Sequence, residues 1–440
     1  MKNVTRFLAW QRSRTLLTAM PLVFAAVGLP LRAAETQGPP ASAWKVGSPI
    51  VTYWAGPAMT DQVAQQMADG GFNLVWCNTE KEMDVAQRHH LRAQLQDGLL
   101  SPQALDNPAQ RVKLDALVAR VRRHPALYSY FIADEPGAAA FPQLGRLVAY
   151  LREHDPAHLA YINLFPVGAD NQQLGTKGDT VTAYREHLRQ FVDQVKPSLL
   201  SYDHYQFAVA GDTGNYFLNL AMVRQIAEQR GVPFLNIVQA ATWSPSMRIP
   251  TGDEVRYLAY TTLAYGAQGI SYYVYCCPGH KGAIALPNGT PTPLYHTLKS
   301  LNREFAAIAG ELQPLRSLGM YHAGMTPPGT EPLGKSVPFR IDPPVPSLPY
   351  KAPERVKGIL LGLFGPAGKN HDPGKPTHVL VVNLDYKATE SRTIVGPGKL
   401  EIFDAAGRTW SATAGKGATL HLPPGGGKLL RLPESATKKS

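Results

Sequence analysis

The sequence predicts an α/β protein: a (β/α)8 (TIM) barrel followed by a small all-β sandwich domain. Three observations carry this expectation. From residue 48 onward, short apolar runs alternate with amphipathic stretches, the pattern of parallel strands covered by helices. Eight such runs fall within about 230 residues, the number and span that close a barrel. Beyond about Leu315 the pattern changes to short alternating segments separated by turn residues at close spacing, as in compact antiparallel sheets.

The chain begins with Lys2, Arg6, Arg12 and Arg14, then an apolar run from about Thr15 to Leu31, then Arg32-Ala33-Ala34. Basic region, apolar region and small residues in that order predict a secretory signal over 1–34, and with it a periplasmic or extracellular location. Pro21 and Pro30 interrupt the run, which is short for a membrane span, so no stable insertion is expected after cleavage. Residues 35–44 read as a leader rich in Pro, Gly and Ser.

The barrel is expected over 45–314. Its strands are predicted at 50–54, 72–77, 91–95, 127–133, 160–165, 199–205, 234–239 and 269–275, from runs of β-branched and aromatic residues bounded by turn signals. Helices are predicted at 60–69, 107–123, 141–153, 182–195, 216–230, 253–266 and 294–309; residues 79–106 are polar and irregular. The β domain is expected over 315–435, with segments at 356–364, 378–384, 399–403, 408–412, 418–422 and 427–432 after a stretch crowded with Pro and Gly.

The chain is 440 residues long with 44% hydrophobic and 18% charged residues, an ordinary composition for a globular protein. Of its net charge of +11, five positive charges precede residue 33 with no acid among them, which leaves +6. The Lys and Arg residues are scattered without interleaved aromatics, so nucleic acid is not an expected partner. Three cysteines, Cys77, Cys276 and Cys277, allow at most one bridge, and no His/Cys spacing argues for a structural metal. No cofactor is expected, and the sequence leaves the oligomeric state open.

In such a barrel, functional groups collect at the carboxyl ends of the strands. Those ends carry Trp54, Asn78, Asp134, Glu135, Asn163, Asp203, His204, Tyr205, Gln239, Trp243 and Tyr275. Acids, amides and aromatics together suit carbohydrate: ring faces stack on sugar C–H surfaces, while amides and acids bond hydroxyls. The organising stretch is 127–136, LYSYFIADEP, an apolar strand ending in two adjacent carboxylates. Simple alternation puts Phe131, Ala133 and Glu135 on one face and Ile132 and Asp134 on the other. Glycosidic cleavage needs one protonated and one ionised carboxyl, and Glu135 and Asp203 are the candidate pair, with Glu135 as acid and Asp203 as nucleophile or base. The bland alternatives are a strand-end cap for Asp134, a structural role for His204, and core packing for the aromatics.

Residues 130–136 (YFIADEP), 264–273 (AYGAQGISYY) and the trail Asn288-Gly-Thr, Tyr295, Asn302 resemble (β/α)8 glycoside hydrolases of the β-galactosidase-like retaining clan. The C-terminal segments 380–385 (LVVNLD) and 423–430 (PPGGGKLL) are similar to the β-sandwich that often follows those barrels. The resemblance implies that Glu135, ending the fourth strand, is the acid/base. Two departures stand out. The clan has asparagine before its acid/base where this chain has Asp134, and a glutamate nucleophile ending the seventh strand where this chain has Gln239, which cannot act as an anion. The expectation is a secreted glycoside hydrolase, retaining or inverting. The alternatives are a non-catalytic glycan-binding barrel and a metal-assisted hydrolase using Asp203 and His204.

Overall fold

The structure is a computed structural model that describes residues 49–366 and 375–433. The predicted signal and leader, at 1–34 and 35–44, lie outside the described residues. All eight barrel strands form: β1 (Ile50–Trp54), β2 (Leu74–Cys77), β3 (Arg92–Leu95), β4 (Leu127–Asp134), β5 (Leu159–Leu164), β6 (Leu200–His204), β7 (Phe234–Gln239) and β8 (Gly269–Tyr273). They make one parallel sheet in which β1 pairs with β8 and the remainder follow in sequence order back to β2. The seam between β1 and β2 is closed largely by side chains. Asn73 N donates to Val51 O at 3.0 Å, Val51 N to Asn73 Oδ1 at 2.9 Å, and Thr52 Oγ1 to Leu74 O at 2.8 Å.

The helices α1 (Asp61–Asp69), α2 (Glu80–Arg88), α3 (Pro102–Asp106), α4 (Pro108–Val121), α5 (Phe141–His154), α6 (Asn171–Leu174), α7 (Thr180–Gln194), α8 (Tyr216–Arg230), α9 (Gly252–Ala264) and α10 (Pro293–Leu312) surround the strands. Their starts follow capping chemistry: the Thr60 and Asp179 side chains accept from backbone N–H groups of the first turn, and Thr251 with Glu254 forms a reciprocal capping box. Helices α2 and α3 occupy the stretch that reads as irregular. In α2 only Met83 and Ala86 are buried, so a nine-residue helix shows almost no apolar stripe.

The C-terminal part is two packed sheets. The larger contains β9 (Leu315–Gly324), β10 (Gly358–Pro366), β11 (His378–Asn383), β13 (Glu401–Asp404), β14 (Thr409–Ala412) and β16 (Gly427–Arg431). The smaller contains Arg340–Asp342, β12 (Glu390–Val395) and β15 (Gly417–Leu422). Strand β9 begins where the domain change was expected, yet both it and β12 go beyond the predicted segments.

The larger sheet is apolar on both faces. Leu360, Leu380, Val382 and Leu429 join the core that runs through the barrel, while Ile359, Leu361, Val379, Val381 and Leu430 face the smaller sheet. Period-two alternation sends neighbouring residues to opposite faces, so burial on both sides produces the continuous apolar runs of β10 and β11. Gly362 permits the contact: a Cβ there would stand 2.4 Å from Ala264 O on α9. Barrel and β domain therefore share one core. No described helix is long and apolar enough to cross a membrane. Cys77, Cys276 and Cys277 are all free thiols, so the single bridge the sequence allows is not formed.

Candidate active site

The end of β4 departs from simple alternation. Phe131 pairs with Tyr161, Ala133 with Ile162 and Asp134 with Asn163, which leaves Ile132 as the extra residue of a bulge. Asp134 therefore shares the inward face with Phe131, correcting the simple alternation that put the two on opposite faces. Beyond the bulge, Glu135 has φ 45°, in the left-handed region, and its N–H donates to Asn163 O at 2.8 Å. A bulky residue there carries strain of about 1–2 kcal/mol, so the chain turns at Glu135 because its surroundings hold it.

A polar row crosses the barrel at this level. Asn163 Nδ2 donates to Asp134 Oδ1 at 3.1 Å, Ser201 Oγ donates to Asn163 Oδ1 at 3.0 Å, and Tyr161 OH lies 2.8 Å from Ser201 Oγ. Asn163 was expected to contact substrate; instead both ends of its buried amide are engaged in orienting Asp134 and Ser201. Asp203 stands two residues beyond Ser201 on the same strand face and is 2% exposed, while Glu135 is 6% exposed.

Electrostatics tie the two carboxylates together. Burial first, then the charges of Asp203, Tyr273 and Glu135, hold the Tyr205 hydroxyl well above its ordinary pKa, and Tyr205 also donates to Asp203. Burial likewise raises the Tyr184 hydroxyl, with further contributions from Asp203 and Glu135. Two tyrosines on different elements thus feel both acids. Tyr161 is raised by burial, and then by Asp134 and Asp203.

Aromatic rings form two walls. On the β1–β5 side, Trp54, Trp76, Phe131 and Tyr161 pack with centroids 4.8–6.4 Å apart. Trp54 is only 4% exposed, so it forms the floor while half-buried Trp76 and Phe131 carry the accessible ring area. On the β6–β8 side, Tyr205 meets Trp243 at 4.6 Å and Tyr273 at 5.0 Å, and His280 Nε2 lies 3.2 Å from Tyr273 OH. Asn78 remains exposed at the end of β2, its amide donating to Glu82.

Three expected substrate contacts are structural instead. Gln239 is fully buried; its Oε1 accepts from Phe207 N at 2.7 Å, and its Nε2 donates to Phe207 O at 3.2 Å and Arg248 O at 2.8 Å. Both donors are engaged with backbone, leaving none for a sugar hydroxyl. His204 has its ring nitrogens against Asn219 Oδ1 at 3.0 Å and Thr213 Oγ1 at 2.9 Å, and burial pushes its pKa down to about 4. No nitrogen remains on it for a metal, and among the described residues no three His, Cys, Asp or Glu side chains group as metal ligands do. Tyr275 turns into the core, where its hydroxyl accepts from Gln66 Nε2 at 2.8 Å and its ring meets Tyr53 at 5.0 Å.

Conversely, the site residues read from the sequence do not include Phe131, Tyr161, Tyr184 and His280, and at the end of the last strand they favour Tyr275 over Tyr273. Phe131 and Tyr161 lie below the strand ends on the inward face, where pairing period rather than position at the mouth would have found them. Tyr184 comes from a helix and His280 from a loop, so no strand-end reading reaches either.

No family model and no curated protein matches this sequence. Solved structures do share its fold. A catalytic mutant of a GH42 β-galactosidase from G. stearothermophilus aligns at 10% identity over 87% of this chain and 98% of that one, with TM-score 0.52. A chain described as a glycoside hydrolase aligns at 13% identity over 86% and 90%, with TM-score 0.50. The β-galactosidase of the psychrophilic Marinomonas ef1 aligns at 13% identity over 63% of each chain, with TM-score 0.44. This chain spans about three-fifths of the length of that enzyme and of the β-galactosidase from Rahnella sp. R3. The fold is that of a (β/α)8 barrel with a β domain, shared with structures of glycoside hydrolases.

Proposed function

We propose that this chain is a glycoside hydrolase that cleaves a glycosidic bond with Glu135 as general acid and Asp203 as nucleophile or base. The observation that carries the reading is the burial of both acids, Glu135 and Asp203, at the barrel level where Tyr161, Asn163 and Ser201 form a polar row reaching Asp134. Two buried acids at the carboxyl ends of β4 and β6 meet the requirement for a donor and an ionised partner, and the aromatic walls beside them suit sugar C–H faces. Gln239 supports assigning the second carboxylate to Asp203, because the β7 end offers no anion and its amide serves the backbone.

Asp134, on the inward face beside the Trp54–Trp76–Phe131 wall, contacts the sugar in this reading, with Tyr205 and Trp243 on the opposite wall and Asn78 on the rim. The basic, apolar and small-residue order of 1–34 supports export to the periplasm or beyond.

The test is a panel of natural oligosaccharides and aryl glycosides given to wild type, Glu135→Gln and Asp203→Asn. Turnover by wild type, lost in both folded variants, is expected. A wild-type protein that binds glycans and hydrolyses none, with binding intact in Glu135→Gln, would mean a lectin-like barrel instead. Once a substrate is found, the anomer first released separates retention from inversion, corresponding to carboxyl separations of about 5–5.5 Å and about 6.5–9.5 Å.

A further inference from the structure

Between the barrel mouth and the β domain lies the hairpin that follows β6, in which Phe207–Ala208 pairs with Gly211–Asp212. It starts two residues after Tyr205, the tyrosine that donates to Asp203. The barrel grips one end of it through the Gln239 amide on Phe207 N and O. The β domain grips the other. Tyr386, in the turn after β11, donates its hydroxyl to the Asp212 carboxylate, with both oxygens near at 2.8 and 2.9 Å. Its ring meets Phe207 edge-on at 5.6 Å and Tyr257 of α9 at 5.4 Å.

The surroundings make this contact more than an incidental bond. Asp212 is 3% exposed, and its backbone N–H donates to Pro353 O at 3.0 Å, also in the C-terminal part. Arg248, on the loop that carries Trp243, covers the other side: it lies 4.8 Å from the Phe207 ring centroid, 3.8 Å from Asp212, and makes paired bonds with Glu254 at 2.7 and 2.8 Å. Gln206 joins Thr213 just past the second strand, with Thr213 N donating to Gln206 O at 2.9 Å. A buried carboxylate that loses its hydroxyl partner is left undercompensated, so without Tyr386 the Asp212 end of the hairpin is held less firmly.

We propose that Tyr386 is a positioning residue for the candidate active site: by holding Asp212 it fixes the hairpin, and thereby keeps Tyr205 on Asp203 and against Trp243. The β domain is then part of the site's construction. This inference rests on the glycosidase reading only for its kinetic readout.

The test uses the full chain labelled with 5-fluorotryptophan, the Trp243 resonance being assigned by its loss in Trp243→Phe. In Tyr386→Phe that ¹⁹F resonance is expected to shift and broaden while those of Trp54 and Trp76, on the opposite wall, stay in place. On whichever glycoside the wild type cleaves, kcat is expected to fall about 10–100-fold with KM little changed. Asp212→Asn, which converts a charge-assisted bond to a neutral one, is expected to move the Trp243 resonance the same way by less. A Trp243 resonance unmoved in both variants overturns the proposal, as does a lowered melting temperature with resonance and kcat unchanged. If the wild type cleaves no glycoside, the glycosidase reading fails while the resonance still decides the positioning role.

Discussion

The carboxyl ends of β4 and β7 are both strand ends of the same barrel and carry side chains of similar size, carboxylates at one and an amide at the other, yet they are built for opposite purposes. At β4 a bulge turns Asp134 inward and Glu135 itself takes the left-handed conformation, with one amide, Asn163, orienting the aspartate. At β7 the fully buried Gln239 bonds the backbone of Phe207 and Arg248. Position at a strand end makes a residue available. Whether it functions depends on what remains of its hydrogen-bonding capacity after the fold is satisfied.

The largest effect that could break this contrast lies at the acids. Glu135→Gln and Asp203→Asn are each expected to lower kcat on an unactivated glycoside by about 10²–10⁴-fold without loss of folding, checked by circular dichroism. Next comes Gln239→Glu. If β7 carried a dormant nucleophile site, the change would create or raise activity. The observed clip instead sets a buried carboxylate against the Phe207 and Arg248 carbonyls, so destabilisation by about 3–5 kcal/mol and no gain in turnover are expected, read by chemical denaturation and the same assay.

A subtler expectation concerns acid. His187 and His204 are buried with pKa pushed down to about 4, and His322 to about 3, each mainly by desolvation. Their folded forms are neutral while the unfolded chain takes up protons below its ordinary value of 6.5. Stability is therefore expected to be flat above about pH 6.5 on their account and to fall as pH drops from there toward about 4. Thermal scans across that window check the sign. The smallest effect is expected for Tyr275→Phe, which removes the bond to Gln66: about 1 kcal/mol of stability and no change in activity. A large activity loss there would restore Tyr275 to the site.

Much of this was legible in the residues, and the misreadings share a cause. The eight strands followed from apolar runs, which also set Glu135, Asp203, Tyr205 and Trp243 at or a few residues beyond strand ends. The face of Asp134 was misread because alternation presumes one-to-one pairing, and nothing local marks Ile132 as the extra residue. His204, Gln239 and Tyr275 were placed correctly along the chain. Their roles were set by partners far off in sequence, at Asn219, Phe207 and Gln66, which a single strand's pattern does not disclose. Helix α2 escaped because its surface is almost wholly polar, and the shared core of barrel and β domain because an apolar run does not say what covers its second face.

The central claim is the division of labour between Glu135 and Asp203, and leaving-group dependence tests it most directly. With aryl glycosides graded from 2,4-dinitrophenyl to phenyl, Glu135→Gln is expected to retain much of its rate on the dinitrophenyl compound, which departs without a proton, and to lose it on the phenyl one. Asp203→Asn is expected to lose both equally. Equal losses across the series in Glu135→Gln would contradict its role as the acid, and undiminished turnover in Asp203→Asn would remove Asp203 from the mechanism.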